Sequence, residues 1–198
     1  MNSPFIRNLA LWYKAQDERY RLFFLFAFKA VFFYFFFDAV ITTYVGLVTP
    51  GGIESKLLMQ WNVLDWFVMT IVSSSYYLLS ALQFNVFKNG DIVGIIGTGG
   101  IGVGYYCIGY YVWMTIAVLV GCFPGKWKVK LYYILASILI IHFVNIIRIS
   151  LLAVLAQYDI DLEDQHIIYN YIIYGITALL FLGYVEWFSN RGEEVARW

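Results

Sequence analysis

The sequence predicts an all-α integral membrane protein, a bundle of about five transmembrane helices with a glycine-rich hairpin or loop ahead of the third. Composition is the first reason: of 198 residues, 62% are hydrophobic and 21% aromatic, and only 13% are charged, whereas soluble domains carry roughly 25% charged residues. Mean hydropathy, at +0.71, is the second. The third is that apolar runs of about 20 residues, enough to cross a hydrocarbon core of ~30 Å, recur along the chain. No linker or repeat divides them, so residues 1–198 read as one polytopic domain. The 13 basic and 13 acidic residues cancel, and no basic run points to nucleic acid; the implied partner is the lipid bilayer.

Residues 1–21 read as an amphipathic N-terminal segment. Asp17 and Glu18 interrupt it and no small-residue cleavage site follows, so a removable signal is not expected. The first span covers residues 22–48 and is broken only by Lys29 and Asp38. Residues 57–82 have a polar face of Gln60, Asn62, Asp65 and Ser73 to Ser75, which suits either a bundle-buried span or an interfacial helix. Over residues 84–106 the chain turns glycine-rich, with short apolar runs at Ile92-Val93, Ile95-Ile96 and Ile101 to Val103, the pattern of a small hairpin at the membrane surface. A third span over residues 105–123 is stopped by Pro124-Gly125; the fourth covers 131–156 and the fifth 167–188.

The charges orient these spans. Lys126, Lys128 and Lys130 link the third to the fourth, while the following link has Asp159, Asp161, Glu163 and Asp164 and no cation. By the positive-inside rule the lysine loop is cytoplasmic, which puts residues 84–106 and 157–165 outside and Arg191 and Arg197 inside. Arg7, Lys14, Arg19 and Arg21 also favour the inside, yet two crossings from there would return the glycine-rich segment to the cytoplasm. Either 57–82 does not cross, or the N-terminal segment lies on the outer surface and five helices cross. Five crossings are the preferred expectation.

Ionisable groups within a membrane are expensive, so each is a functional candidate. Arg148 stands ~27 Å along its helix from Lys130 at about 1.5 Å per residue, near the outer boundary. His142, Asn145 and Arg148 share a helical face and form a polar stripe, which suits an interhelical hydrogen-bond stripe as well as a site. Convergence favours the site: Cys107 begins the third helix, Arg148 nears the end of the fourth and His166 begins the fifth, all at one membrane face. A thiol in a helix's first turn feels the positive end of the macrodipole, and a guanidinium nearby favours thiolate. Histidine suits proton shuttling near neutrality, whereas arginine stays charged and stabilises an anion. The roles are nucleophile, acid/base and oxyanion stabiliser.

The run from Tyr105 to Gly109 around Cys107, then Asn145-Ile146-Ile147-Arg148-Ile149, then His166 with Tyr174-Gly175 downstream resembles the exosortase and archaeosortase family of membrane cysteine transpeptidases, in its short form. The resemblance covers residues 90–184 as a catalytic core. It implies that Cys107, Arg148 and His166 are catalytic, with Asn145 supporting. Ile108 departs from the small polar residue that usually follows the motif cysteine. Also implied is the substrate, an exported protein whose C-terminal sorting segment has a motif, a transmembrane helix and a basic tail. Such an enzyme cleaves that segment through an acyl-enzyme on Cys107 and passes the product to an acceptor nucleophile, from the outer face of the inner membrane.

Other candidates have plainer readings. Cys122, at the lysine end, suits packing, and its ~22 Å separation from Cys107 along one helix excludes a disulfide. His142 lies ~9 Å deeper than Arg148 and suits a bundle hydrogen bond. The GxGxxG match over residues 97–102 lacks the strand-loop-helix unit of a dinucleotide fold. Asp38 and Asp65 have Lys29, a serine or Arg148 as possible partners. Tyr105, Tyr106, Tyr110 and Tyr111 with Trp113 suit an interfacial belt. Nothing has metal-ligand spacing, and no cofactor is expected. The competing class is a non-catalytic multi-pass carrier or assembly scaffold that uses Asn145 and Arg148 for binding or packing.

Overall fold

The structure, a computed structural model, describes the backbone of residues 4–49, 55–158 and 162–190, and the side chains of 20–49, 55, 57–158 and 168–187. In chain order the elements are α1 (Pro4–Val48), α2 (Lys56–Gln60), α3 (Val63–Ala81), β1 (Val86–Asn89), β2 (Ile92–Ile95), β3 (Ile101–Gly102), a 3-10 turn (Tyr105–Ile108), α4 (Tyr110–Cys122), α5 (Trp127–Leu155), a second 3-10 turn (Ala156–Tyr158) and α6 (Leu162–Asn190). Four stretches, Tyr20–Val48, Leu57–Ala81, Trp127–Tyr158 and Ile168–Trp187, are long and apolar enough to cross a membrane, and Tyr110–Cys122 is a shorter apolar helix. The expected all-α membrane bundle is therefore formed. Its outer face is apolar, as lipid requires: Phe24, Phe28, Phe35, Leu139 and Leu179 are all exposed.

From Pro4 the N-terminal segment is continuous in backbone with the first span. Helix α1 runs unbroken for 45 residues, ~67 Å at 1.5 Å per residue. The reason is local: no glycine or proline occurs between Phe5 and Val45 to interrupt the hydrogen-bond ladder. α3, in contrast, starts sharply, because Asn62 caps it by accepting the Leu64 amide at 3.1 Å.

Two buried clusters mark the ends of the bundle. One joins Val48, Val93, Val103, Ile108, Ile149 and Leu152 at the hairpin end. The other joins Val120, Ile141 and Tyr184, with Phe123 and Phe181 packed against it, at the lysine end. α1, α4, α5 and α6 reach both. Phe26 of α1 packs on Phe123 and Phe181, with ring centroids 5.8 and 6.2 Å away, while Val45 and Val48 belong to the hairpin cluster. Likewise Tyr169 of α6 packs at the hairpin end, and Tyr184 donates to the Pro124 carbonyl at 3.3 Å.

α3 behaves differently, and its placement answers the charge conflict. All its clustered residues, Leu64, Phe67, Val68, Ile71, Val72 and Tyr76, belong to the hairpin end and none to the lysine end. At its start Asn62 and Asp65 bond Tyr105; further on Ser75 donates to the Ile146 carbonyl and Ser73 accepts from Lys88 of β1. Both ends of α3 are thus at one end of the bundle, so it packs beside α5 without traversing it. Four helices of spanning length with the shorter Tyr110–Cys122 make up the expected bundle of about five, and the contacts of α3 favour the branch in which residues 57–82 do not cross. With four crossings, Arg21 lies at the same end as Lys126, Lys128 and Lys130, and the unbroken α1 carries Arg7, Lys14 and Arg19 to that end as well.

The glycine-rich segment forms the expected hairpin with one strand more, a three-stranded antiparallel sheet in the order β1-β2-β3. Asn89 pairs with Ile92, leaving Gly90 and Asp91 as a two-residue turn with Gly90 at φ 58°. The GxGxxG match falls on the β2–β3 turn and β3, with no phosphate-binding helix after it. Two glycines are sterically required. A Cβ on Gly94 would stand 2.6 Å from the Gly100 Cα, and one on Gly100, at φ 72°, would stand 2.7 Å from Ile92 Cγ2. Gly94→Ala or Gly100→Ala is therefore expected to destabilise the fold by about 1–3 kcal/mol, whereas Gly102→Ala, which meets open space, is neutral within ~0.5 kcal/mol. Thermal unfolding in detergent of the three variants side by side checks this.

Candidate active site

Cys107 is not in the first turn of a helix. It sits in the 3-10 turn ahead of α4, its amide bonded to the Gly104 carbonyl at 2.9 Å. Gly109 then takes φ 81° and turns the chain, and its carbonyl accepts the first helical bonds from Val112 and Trp113 at 2.9 and 3.1 Å. A glycine is needed there for its left-handed backbone, since a Cβ would meet nothing within 4 Å. The thiol therefore precedes the α4 N-terminus, on a turn held from several sides. Ile108, the departure from the usual motif, is fully buried in the hairpin-end cluster, so its bulk faces the core.

Asn145 is the joint of the site. Buried on α5, its Nδ2 donates to the Cys107 carbonyl and its Oδ1 accepts from Arg148 Nη1 at 3.3 Å. One amide so fixes both the turn bearing the thiol and the guanidinium one helical turn further along. Arg148 is only 5% exposed, and it interacts electrostatically with Cys107 and with Tyr174 of α6. Three of the four expected site residues are thereby brought together. His166 lies on α6, at the end of that helix nearest the hairpin, but its side chain is outside the described residues.

A second anchor was not expected. Tyr105, two residues before the thiol, donates to Asp65 Oδ1 at 2.8 Å and accepts from Asn62 Nδ2 at 2.7 Å. Burial and the Asp65 carboxylate push its phenol above the ordinary 10.0. Asp65 therefore pairs with a tyrosine, which was not among its expected partners. Tyr105→Phe removes both bonds and is expected to lower turnover about 10-fold with little change in unfolding temperature, since the turn is loosened and its core contacts are kept. Single-turnover rates on that variant, set against its melting curve, check this.

The remaining candidates divide. The aromatic belt is partial: Tyr106 is exposed, but Tyr110 is buried and Tyr105 is a clasp. His142 makes no hydrogen bond through its buried Nδ1; it packs between the Phe67 and Trp113 rings, 6.1 and 6.0 Å away. Its expected role as a bundle hydrogen bond is corrected at that atom to aromatic packing. Asp38 acts electrostatically on Tyr34 and Tyr110. Among the described residues no group of His, Cys, Asp and Glu is placed to hold a metal ion.

Comparison with known proteins adds one positive finding. No match was found among curated proteins or solved structures. The family model described as transmembrane exosortase matches residues 9–183, starting well ahead of the stretch on which the sequence resemblance rested. That match spans α1 through most of α6 and includes the thiol turn, the Asn145–Arg148 pair and Tyr174. The chain belongs to the transmembrane exosortase family, a family of membrane cysteine transpeptidases.

Proposed function

We propose that the protein is a transpeptidase that cleaves the C-terminal sorting segment of exported proteins. The single observation that supports this most is the Asn145 bridge, which couples the Cys107 turn to a buried guanidinium in a family whose chemistry needs both. The Cys107 thiolate attacks the scissile carbonyl carbon, and the carbonyl electrons move to oxygen. Arg148 stabilises that oxyanion from a site largely shielded from water, where a fixed donor has its greatest effect. Collapse breaks the C–N bond, His166 protonates the departing amine, and a thioester remains on Cys107. An acceptor nucleophile then attacks the thioester and restores the thiol. The clasps at Tyr105 and Asn145 are positioning contacts: they touch the turn, not the reacting atoms.

Four crossings support an active site on the outer face of the cell membrane. Arg21 and the three loop lysines are at one end, and the thiol is at the other. In a variant lacking Cys107 and Cys122, a cysteine at Asp91 is expected to react with an impermeant maleimide on intact cells, while cysteines at Arg21 and Lys128 react only after lysis. External labelling at Arg21 with protection at Lys128 would restore the five-crossing alternative. Labelling at Lys128 with protection at Asp91 would invert the bundle and put the chemistry in the cytoplasm.

Cleavage of a reporter with the sorting segment at its C-terminus tests the substrate assignment directly. Coexpression is expected to yield a shortened reporter with the wild-type protein and the full-length form with Cys107→Ala. Full-length reporter in both cases would favour the scaffold class.

A further inference from the structure

A cavity of about 600 Å³ opens between α1, α4 and the start of α5, at the opposite end of the bundle from Cys107. The proposed reaction makes no use of it. Its walls are mostly apolar, with Phe33 and Phe37 of α1 on one side, and both rings are partly exposed, so the cavity faces the lipid. Trp127, 68% exposed, stands at its rim where α5 begins. Two cations line it, Lys29 and Lys130, and among the described residues no acidic one does. The two ammonium groups are close enough to repel each other, and Lys130 Nζ donates to the Gly121 carbonyl at 2.9 Å.

Like charges that converge on an apolar recess at a membrane boundary are costly, and an anion between them relieves the cost. The depth fits a headgroup: Phe26, one turn before Lys29, packs on Phe123 of the lysine loop, and Lys130 is on the first turn of α5. From Lys29, Phe33 and Phe37 follow at one-turn steps into the bilayer, the path of an acyl chain. We propose that this cavity is a binding site for an anionic phospholipid, with the phosphodiester between Lys29 and Lys130 and an acyl chain along Phe33 and Phe37. A transmembrane peptide with a basic tail meets the wrong charge here, and a free phosphate leaves both phenylalanines uncovered.

The test uses the full chain in nanodiscs of phosphatidylcholine with a minor fraction of phosphatidylglycerol, with retained lipid counted by native mass spectrometry. The wild-type protein is expected to retain phosphatidylglycerol well above its bulk fraction. Lys29→Gln/Lys130→Gln is expected to weaken that preference about 30-fold, since each lysine contributes ~1 kcal/mol and tenfold is ~1.4 kcal/mol. Lys29→Arg/Lys130→Arg restores it, and Lys126→Gln/Lys128→Gln, outside the cavity, leaves it intact. A second arm adds glycerol phosphate or phosphatidylglycerol to the protein in detergent and reads the melting temperature; only the lipid is expected to raise it. The proposal is overturned if the glutamine pair keeps full preference, if the loop pair loses as much, or if glycerol phosphate stabilises as well as the lipid.

Discussion

Cys107→Ala and Cys107→Ser each abolish substrate processing, to below about one part in 10⁴ of the wild-type rate, while the protein remains inserted and folded. The expectation follows from the chemistry: alanine supplies no nucleophile, and a serine hydroxyl, far less acidic than a thiol, supplies almost no alkoxide near neutrality. Fold retention follows from the packing, because Cys107 is half-buried and the turn is held by its backbone bonds to Gly104 and Asn145. Cys122→Ser keeps most activity, since Cys122 lines the cavity at the opposite end. Reporter cleavage by the three variants in proteoliposomes, normalised to folded protein, checks all of this. An essential Cys122 with a dispensable Cys107 would move the site to the lysine end.

Arg148→Lys comes next in expected effect. Lysine keeps the positive charge but loses the planar fork, which reaches Asn145 Oδ1 and has further donors able to hold an oxyanion. An electrostatic donor of this kind supplies about 3–4 kcal/mol of transition-state stabilisation, so turnover falls roughly 100- to 1000-fold. Packing alone has a different signature: a bridge that only ties α5 to the thiol turn loses thermal stability on substitution, while each surviving folded molecule works at the full rate. Both quantities are read on one purified variant. An unchanged rate per folded molecule removes Arg148 from the chemistry and leaves it as a brace.

How much of this was legible in the sequence depended on the kind of signal. The spans were readable because lipid imposes apolarity on whole faces, and 20 consecutive residues report it redundantly. Cys107, Asn145 and Arg148 were readable because a polar group inside a membrane is conspicuous, and a spacing of three residues puts Asn145 and Arg148 on one face. Less legible was anything decided by backbone geometry. Nothing in the stretch from Tyr105 to Gly109 announced a 3-10 turn, and only Gly109, now seen at φ 81°, hinted that the helix starts after it. The Tyr105 clasp escaped notice because its partners are 40 and 43 residues away, on the first turn of α3 and at its cap. Hydropathy likewise left the place of α3 open between two readings, since an amphipathic helix packed at one end of a bundle has the same composition as one that crosses it. Only its contacts with Tyr105, Ile146 and Lys88 distinguish the two.

The most direct test of the account is the intact mass of the enzyme during turnover. A peptide substrate with a slow second step is mixed with the full-length protein in detergent and quenched in acid. The account predicts an added mass equal to the N-terminal product, located on Cys107, released by neutral hydroxylamine as a thioester must be, and absent in Cys107→Ala. Product formation with no adduct on Cys107, at quench times that span a single turnover, would contradict it.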